Sequence, residues 1–257
     1  MTSKPISQTL DDERPRPDSP DAATFHHHLA RYQFALERLA GGERILDAGC
    51  GTGYGTALLA ERGGYALGFD YSPLAIEYAR AHFAGPKLRY AVMNAQHLAV
   101  AAATFDMVIS FEVFEHLEDS VAFLRECRRV LRPGGRLILS TPNQETHDLH
   151  MNSIGMTNEF HINLMNGKQL KTALRRHFSE VEIYGQRRKG SRVYNTLRAL
   201  DVFNLRLRMF SSRRRKNLQQ KMGVAVAPQA QAGAWIFSKH QLRQANTFVA
   251  VCGKQRN

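Results

Sequence analysis

The sequence predicts an α/β fold: a largely parallel sheet with helices on both faces. Three observations carry this. From Arg44 onward, short apolar runs alternate with helix-forming runs, the order that builds a parallel sheet. The first run leads into a glycine-rich turn, Asp47-x-Gly49-x-Gly51-x-Gly53. The second run ends in an acid, Asp70, at the offset of about 20 residues that lets a carboxylate meet a ribose.

Each element follows from its residues. Apolar positions Leu29, Tyr32, Ala35, Leu36 and Leu39 recur at helical spacing, which predicts a helix over Phe25 to Leu39, ended by Gly41-Gly42. Strand one is Arg44 to Ala48. The glycine turn follows, and the next helix runs from Thr56 to Arg62. Glycine suits such a turn because it accepts positive φ and lets a ligand lie on the backbone. The free N–H groups of the helix start then face that ligand. Strand two is Ala66 to Asp70, and a helix covers Pro73 to Phe83. Strand three is Leu88 to Met93, and strand four Phe105 to Phe111. A helix over Ser120 to Leu131 is broken by Arg132-Pro133-Gly134-Gly135, a helix stop and tight turn. Strand five is Arg136 to Ser140. Asn143 to Gly167, polar and rich in Asn and His, is read as a loop over the sheet edge. A helix over Lys168 to His177 and a strand over Val181 to Tyr184 follow. The last strand is Asn246 to Cys252.

Two segments stand outside this alternation. Residues 1–22 are polar and acidic, and Met1 to Asp21 hold four of the nine prolines, which predicts a disordered tail. No apolar run there resembles a signal peptide. Residues 23–257 are read as one domain, interrupted at 186–234 by a basic insertion that is partly helical around Val193 to Leu200. Between Gln186 and Gly223 twelve Lys and Arg face the single acid Asp201, a net +11 within a chain total of +12. A charge so localised fits an anionic partner: an acidic membrane surface, a phosphorylated substrate, or RNA. Cys50, Cys127 and Cys252 are odd in number and lack paired spacing, which argues for a reducing compartment. The expected location is cytoplasmic, peripheral to a membrane if the basic insertion meets one.

The glycine-loop spacing differs from the G-x-G-x-x-G of dinucleotide binders and resembles motif I of class I S-adenosylmethionine (SAM) dependent methyltransferases. Asp70 and the phrase Arg129-Val130-Leu131-Arg132-Pro133-Gly134-Gly135 strengthen the resemblance, which covers about Phe25 to Gln186 and the final strand. It implies a Rossmann-like seven-stranded sheet with its last strand antiparallel, and SAM lying over the strand C-termini. It also implies cofactor roles for Asp47, Gly49, Gly51, Gly53, Asp70 and Tyr71. Asn94-Ala95 stand where the family commonly has an acid or small polar residue near the adenine, with Gln96 as the alternative donor. His28-x-x-Arg31-Tyr32 resembles a phrase of bacterial enzymes encoded with polysaccharide pathways, and places Arg31 near the methionine carboxylate.

The reaction half is read from Glu112, Glu115 and His116, spaced i, i+3 and i+4. If a helix starts here they share a face. The phrase resembles that of ubiquinone-biosynthesis O-methyltransferases and of small-RNA 2′-O-methyltransferases, where these positions can hold a divalent metal. Two carboxylates and an imidazole suit Mg²⁺, Mn²⁺ or Zn²⁺, and His161, in Asn158-Glu159-Phe160-His161, is a fourth candidate ligand. Without a metal, His116 or His161 is the general base, and Glu112 caps the helix or orders the loop. His147, His150 and His177 are read as solvated or structural. The expected activity is O-methylation of a small molecule such as a sugar, glycolipid or natural-product intermediate. An RNA ribose methyltransferase is the alternative. A SAM-binding regulator without catalysis is a third reading, opposed by the intact acid and histidine positions.

Overall fold

The computed structural model describes residues 22–154, 160–189 and 235–255. The expected tail through Asp21, Asn158-Glu159, and residues 190–234 of the expected basic insertion, with its helix near Val193 to Leu200, lie outside the described residues, while Ala22 opens the first helix. The elements run α1 (Ala22–Leu36), β1 (Arg44–Ala48), α2 (Tyr54–Arg62), β2 (Tyr65–Asp70), α3 (Pro73–His82), β3 (Leu88–Val92) and β4 (Phe105–Phe111). Then come α4 (Ser120–Val130), β5 (Leu131–Pro142), α5 (Gln144–Ile154), α6 (Gly167–Arg175), β6 (Glu180–Arg188), β7 (Trp235–Ser238) and β8 (Thr247–Gly253).

The helix starts follow from side chains that satisfy the orphan amides of a first turn. Ser72 accepts from the Ala75 amide ahead of Pro73, and Asp119 accepts from Ala122. Asn166 and Gln169 form a reciprocal capping box at α6.

The sheet order is β3-β2-β1-β4-β5-β8-β6-β7. The β1–β2, β1–β4, β2–β3 and β4–β5 pairs are parallel, and β8 runs antiparallel between β5 and β6. Period-two alternation splits the core. Leu46, Val108, Phe248 and Ala250 meet α4 and α6 through Phe123, Cys127, Leu170 and Leu174. Ile45, Met107, Ile109 and Val249 meet α1, α2 and α3 through Phe34, Leu59 and Ile76. A sheet buried on both faces leaves the strand ends as the place for a ligand.

Three expectations are corrected. Among the described residues the sheet has eight strands, not seven: Trp235–Ser238 pairs antiparallel with the far end of β6, from Arg188↔Trp235 to Gly185↔Ser238. That added strand covers an otherwise open edge and extends β6 beyond its expected end. The Arg132–Gly135 turn does not separate α4 from β5. It is absorbed as an irregularity, the register jumping from Phe105↔Leu131 to Met107↔Arg136 with Gly134 at φ +76°. The segment expected to be all loop holds α5. Its first turn is anchored by Asn143, whose Oδ1 accepts from the Glu145 amide at 3.1 Å and whose Nδ2 donates to Ala245 O at 2.9 Å.

Candidate active site

A cavity of about 820 Å³ opens at the C-terminal ends of β1, β2 and β4, within the size range of small-molecule sites. One part of its wall is the glycine turn. Gly49, Gly51 and Gly53 all have positive φ, at +77°, +54° and +86°, yet they do different things. A Cβ on Gly49 would meet Val113 Cγ2 at 2.2 Å, and one on Gly53 would meet Ala79 Cβ at 2.6 Å. Both glycines therefore permit close packing inside the protein. A Cβ on Gly51 would meet nothing within 4 Å, and Gly51 lines the cavity. It is the position where a ligand can lie against bare backbone.

Asp47 is fully buried and is not part of the cavity wall. It accepts from Thr56 Oγ1 at 2.6 Å and from Tyr32 Oη at 3.2 Å, so it ties α1 and α2 to the turn. Burial pushes its carboxyl up to about 7, against the pull of those two hydrogen bonds. Asp70 lines the cavity, its Oδ2 accepting from the Gly51 amide at 3.0 Å and its Oδ1 from Ser72 at 2.9 Å. Two backbone donors thus fix the carboxylate at the mouth of the turn. Beside it Tyr71 is exposed, and Asn94, Ala95 and Gln96 complete this end, with Asn94 Oδ1 accepting from Gln96 N at 2.9 Å.

The other part of the wall is the stretch after β4 together with His161. Glu112, Glu115 and His116 do not share a helix face. Glu112 sits in the left-handed region at φ +55°, and only one 3₁₀ turn, Phe114–His116, follows. Such strain in a non-glycine residue marks a position fixed by its surroundings. Here Ser140 Oγ donates to Glu112 Oε1 at 2.7 Å and accepts from the Glu112 amide at 3.1 Å. Arg31 Nη1 lies 3.1 Å from the same Oε1. Arg31 is fully buried and is not among the residues lining the cavity.

Glu115 is 1% exposed. Neither of its carboxylate oxygens has a hydrogen-bond partner among the described residues. The Thr141 hydroxyl is near but outside hydrogen-bonding geometry. Burial and then the charge of Glu112 hold the Glu115 carboxyl well above its usual range. His116 and His161 stand edge to face, ring centroids 4.9 Å apart. The segment bearing His161 is latched to this turn: the Ile162 and Asn163 amides both donate to Glu115 O, at 2.8 and 3.0 Å. His116 Nδ1 contacts Phe160 O at 3.1 Å. A carbonyl only accepts, so Nδ1 carries a proton here.

Residues 46–139 match the family model described as "Methyltransferase domain". A probable S-adenosylmethionine-dependent methyltransferase of Mycolicibacterium smegmatis is 37% identical over 158 residues, which cover 62% of this chain and 60% of that protein. A ubiquinone biosynthesis O-methyltransferase of Cereibacter sphaeroides is 38% identical over 116 residues, 44% of this chain and 47% of that one. The chain therefore spans about half to three-fifths of the length of these relatives. A SAM-dependent methyltransferase structure from Thermotoga maritima superposes with a TM-score of 0.61 at 17% identity, covering 91% of each chain.

Residues 46–139 match a methyltransferase domain, and the chain resembles SAM-dependent methyltransferases over 62% of its length. The structure of the [4+2]-cyclase SpnF shares its fold, with a TM-score of 0.55 at 19% identity over 96% of this chain and 86% of that one. The fold alone therefore does not fix the reaction, and the acid–histidine wall has to be read on its own terms.

At this site Glu115, His116 and His161 each offer a ligand atom within 4.8 Å of the others. A carboxylate with two unbonded oxygens and two imidazoles fits a divalent cation. Glu112, expected in the same set, is engaged by Ser140 and Arg31 instead. Two groups went unread in the sequence. Tyr54 lines the cavity from the first turn of α2. His147, read as solvated or structural, places Nε2 3.0 Å from His161 Nδ1. Its helix was not recognised, so no spacing pointed to it. His161 itself is lowered to about 4 by burial and by its two histidine neighbours, and is neutral throughout the physiological range.

Proposed function

We propose that the protein transfers the methyl group of SAM to a hydroxyl of a small molecule. One observation carries this reading: the glycine turn with Asp70 and the acid–histidine cluster line a single cavity. SAM supplies an activated methyl on a sulfonium. Asp70, held by two backbone amides, accepts from the adenosine ribose hydroxyls, Gly51 gives close approach, and Asn94 or Gln96 lies towards the adenine. The acceptor hydroxyl enters beside His161.

His161 is the proton acceptor in this reading. At about 4 its imidazole is a weak base, and that suffices here. The proton departs as the new C–O bond forms, when the oxygen becomes oxonium-like and far more acidic than an imidazolium. Permanent neutrality ensures that the lone pair is present whenever substrate arrives. The similarity to an enzyme named for O-methylation supports oxygen as the acceptor atom.

A second reading rests on the Glu115–His116–His161 grouping. With a divalent cation held there, the metal would lower the pKa of the acceptor hydroxyl. Both readings draw on the His161 lone pair, so they exclude each other at that residue.

The test is single-turnover methyl transfer from labelled SAM to a panel of hydroxyl-bearing acceptors, with SAM affinity measured in parallel. His161→Ala should lower the rate by about 10²- to 10⁴-fold and leave SAM affinity intact. Labelled product with nitrogen or carbon acceptors alone, or an unaltered rate in His161→Ala, would overturn the proposal.

A further inference from the structure

We infer that the outer face of α4 and α6, at the end of the sheet away from the cavity, is a docking surface for an anionic lipid bilayer. Its contacting groups are Arg125, Arg128, Lys171, Arg175, Arg176 and Lys254. The inference does not depend on the reaction proposed above.

Three segments bring these cations to one place. Both helices start towards the cavity end of the sheet and run to the opposite end, where they lead into β5 and β6. There the Ser179 amide donates to Gly253 O at 3.2 Å, and Lys254 Nζ donates to Arg128 O at 2.8 Å. The ends of α4, α6 and β8 are therefore adjacent. Arg125, Arg128, Lys171, Arg175 and Arg176 are exposed, and Lys254 is partly buried. None of the six has an ion-pair partner among the described residues. Their charges reach one another. Burial, then the charge of Arg128, holds the Lys254 ammonium below its usual range. Burial, then Arg125, Arg128 and Arg176, does the same to the His177 imidazole just past α6.

Folding needs only part of this charge. A helix C-terminus carries about half a negative charge, so the two helix ends balance about one cation. Glu180, the acid beside Gly253, balances one more. Other acids are engaged or distant: Glu126 pairs with Arg129, Asp106 pairs with Arg132, and Asp119 caps the opposite end of α4. Six cations less these two leave about four positive charges uncompensated on one face. A bilayer suits that face better than RNA. Among the described residues, the one exposed large apolar side chain on α4 or α6 is Val121, a turn before Arg125 on the same face. Single-stranded RNA is held by stacking on aromatic side chains, and this face has none exposed. A layer of anionic headgroups needs only cations near its plane, and an apolar side chain beside them enters the interface.

The experiment measures co-sedimentation of the full chain with vesicles of phosphatidylcholine, either pure or with about a third phosphatidylserine. Wild type should bind the mixed vesicles and leave the pure ones. Each Lys or Arg near such a surface raises partitioning about fivefold. Arg125→Glu/Arg128→Glu/Arg176→Glu should therefore lower binding to mixed vesicles at least about hundredfold. Arg125→Gln/Lys171→Gln spares both helix ends, so it keeps the fold if the triple variant does not, and should lose about 25-fold. SAM affinity should stay at the wild-type value in both, because the cavity lies at the other end of the sheet. Arg213→Gln/Arg214→Gln/Arg215→Gln/Lys216→Gln tests the competing charge of the basic insertion. Undiminished binding in the α4–α6 variants, a loss seen only in the insertion variant, or equal binding to both vesicle types overturns the inference. So does a wild type that ignores vesicles but is retained on RNA with steep salt dependence.

Discussion

Substituting alanine at Gly51 and at Gly53 separates cofactor binding from packing within one turn. Both residues have left-handed backbones, at φ +54° and +86°. Each variant therefore loses about 1–2 kcal/mol to backbone strain. Their surroundings differ. The new methyl at Gly53 would lie 2.6 Å from Ala79 Cβ and 2.9 Å from Tyr90 Cε1, whereas at Gly51 no atom lies within 4 Å. Tyr90 cannot yield freely, because its hydroxyl donates to Gly53 O at 2.8 Å. Overpacking of this kind costs about 1–3 kcal/mol more. The expected loss is about 2–5 kcal/mol for Gly53→Ala and about 1–2 kcal/mol for Gly51→Ala. Binding should run the other way. The Gly51 methyl stands on the cavity wall, so SAM affinity should fall at least about tenfold, equivalent to about 1.4 kcal/mol. Gly53→Ala, measured where it remains folded, should bind SAM nearly as wild type does. Urea unfolding and calorimetric SAM titration read the two quantities. If Gly51→Ala binds SAM with wild-type affinity, or if the two variants lose equal stability, the assignment of different work to the two glycines is refuted.

Two further predictions follow from the buried acids. Because the folded state raises the Asp47 carboxyl from 3.8 to about 7, it favours the protonated form. Stability from this group is greatest below about pH 4 and declines as pH rises towards 7, by up to about 4 kcal/mol at 1.36 kcal/mol per pH unit. Urea midpoints of Asp47→Asn should lack that decline across pH 4 to 8, and an identical slope in wild type and variant would refute it. If Glu115, His116 and His161 hold a cation, Mn²⁺ titration should reveal one site that Glu115→Gln weakens at least about tenfold; undiminished binding in that variant would remove Glu115 from the set.

The acid–histidine site shows where reading a sequence stops. Glu112, Glu115 and His116 are adjacent in the chain, so their proximity was legible, but their directions were not. A helix would have aligned them. The left-handed backbone at Glu112 and the single 3₁₀ turn after it send Glu112 to Arg31 and Ser140, and Glu115 inward. That choice depends on Arg31, which comes from α1, and on Ser140 at the end of β5. His147 was invisible for a related reason. Its helix is stabilised by Asn143 and Thr146 bonding to Ala245, a contact about 100 residues away in the chain that no local pattern encodes. The added strand β7 is four residues long and exists by pairing with β6.

By itself the sequence determined the alternation of strands and helices, the glycine turn, and Asp70 at its offset. These are local: period-two burial, capping residues and positive-φ glycines act within a few positions of one another. From them follows the fold class, and the kind of cofactor follows from the resemblance of the glycine turn to methyltransferase motif I. Tertiary structure alone decided which glycine meets the ligand, which acid is buried, and which histidine leans on which. Those outcomes depend on neighbours brought together from α1, α5, β5 and the segment ending at His161. Burial and charge at a site are sums over everything packed around it, and the linear order of residues does not contain that sum.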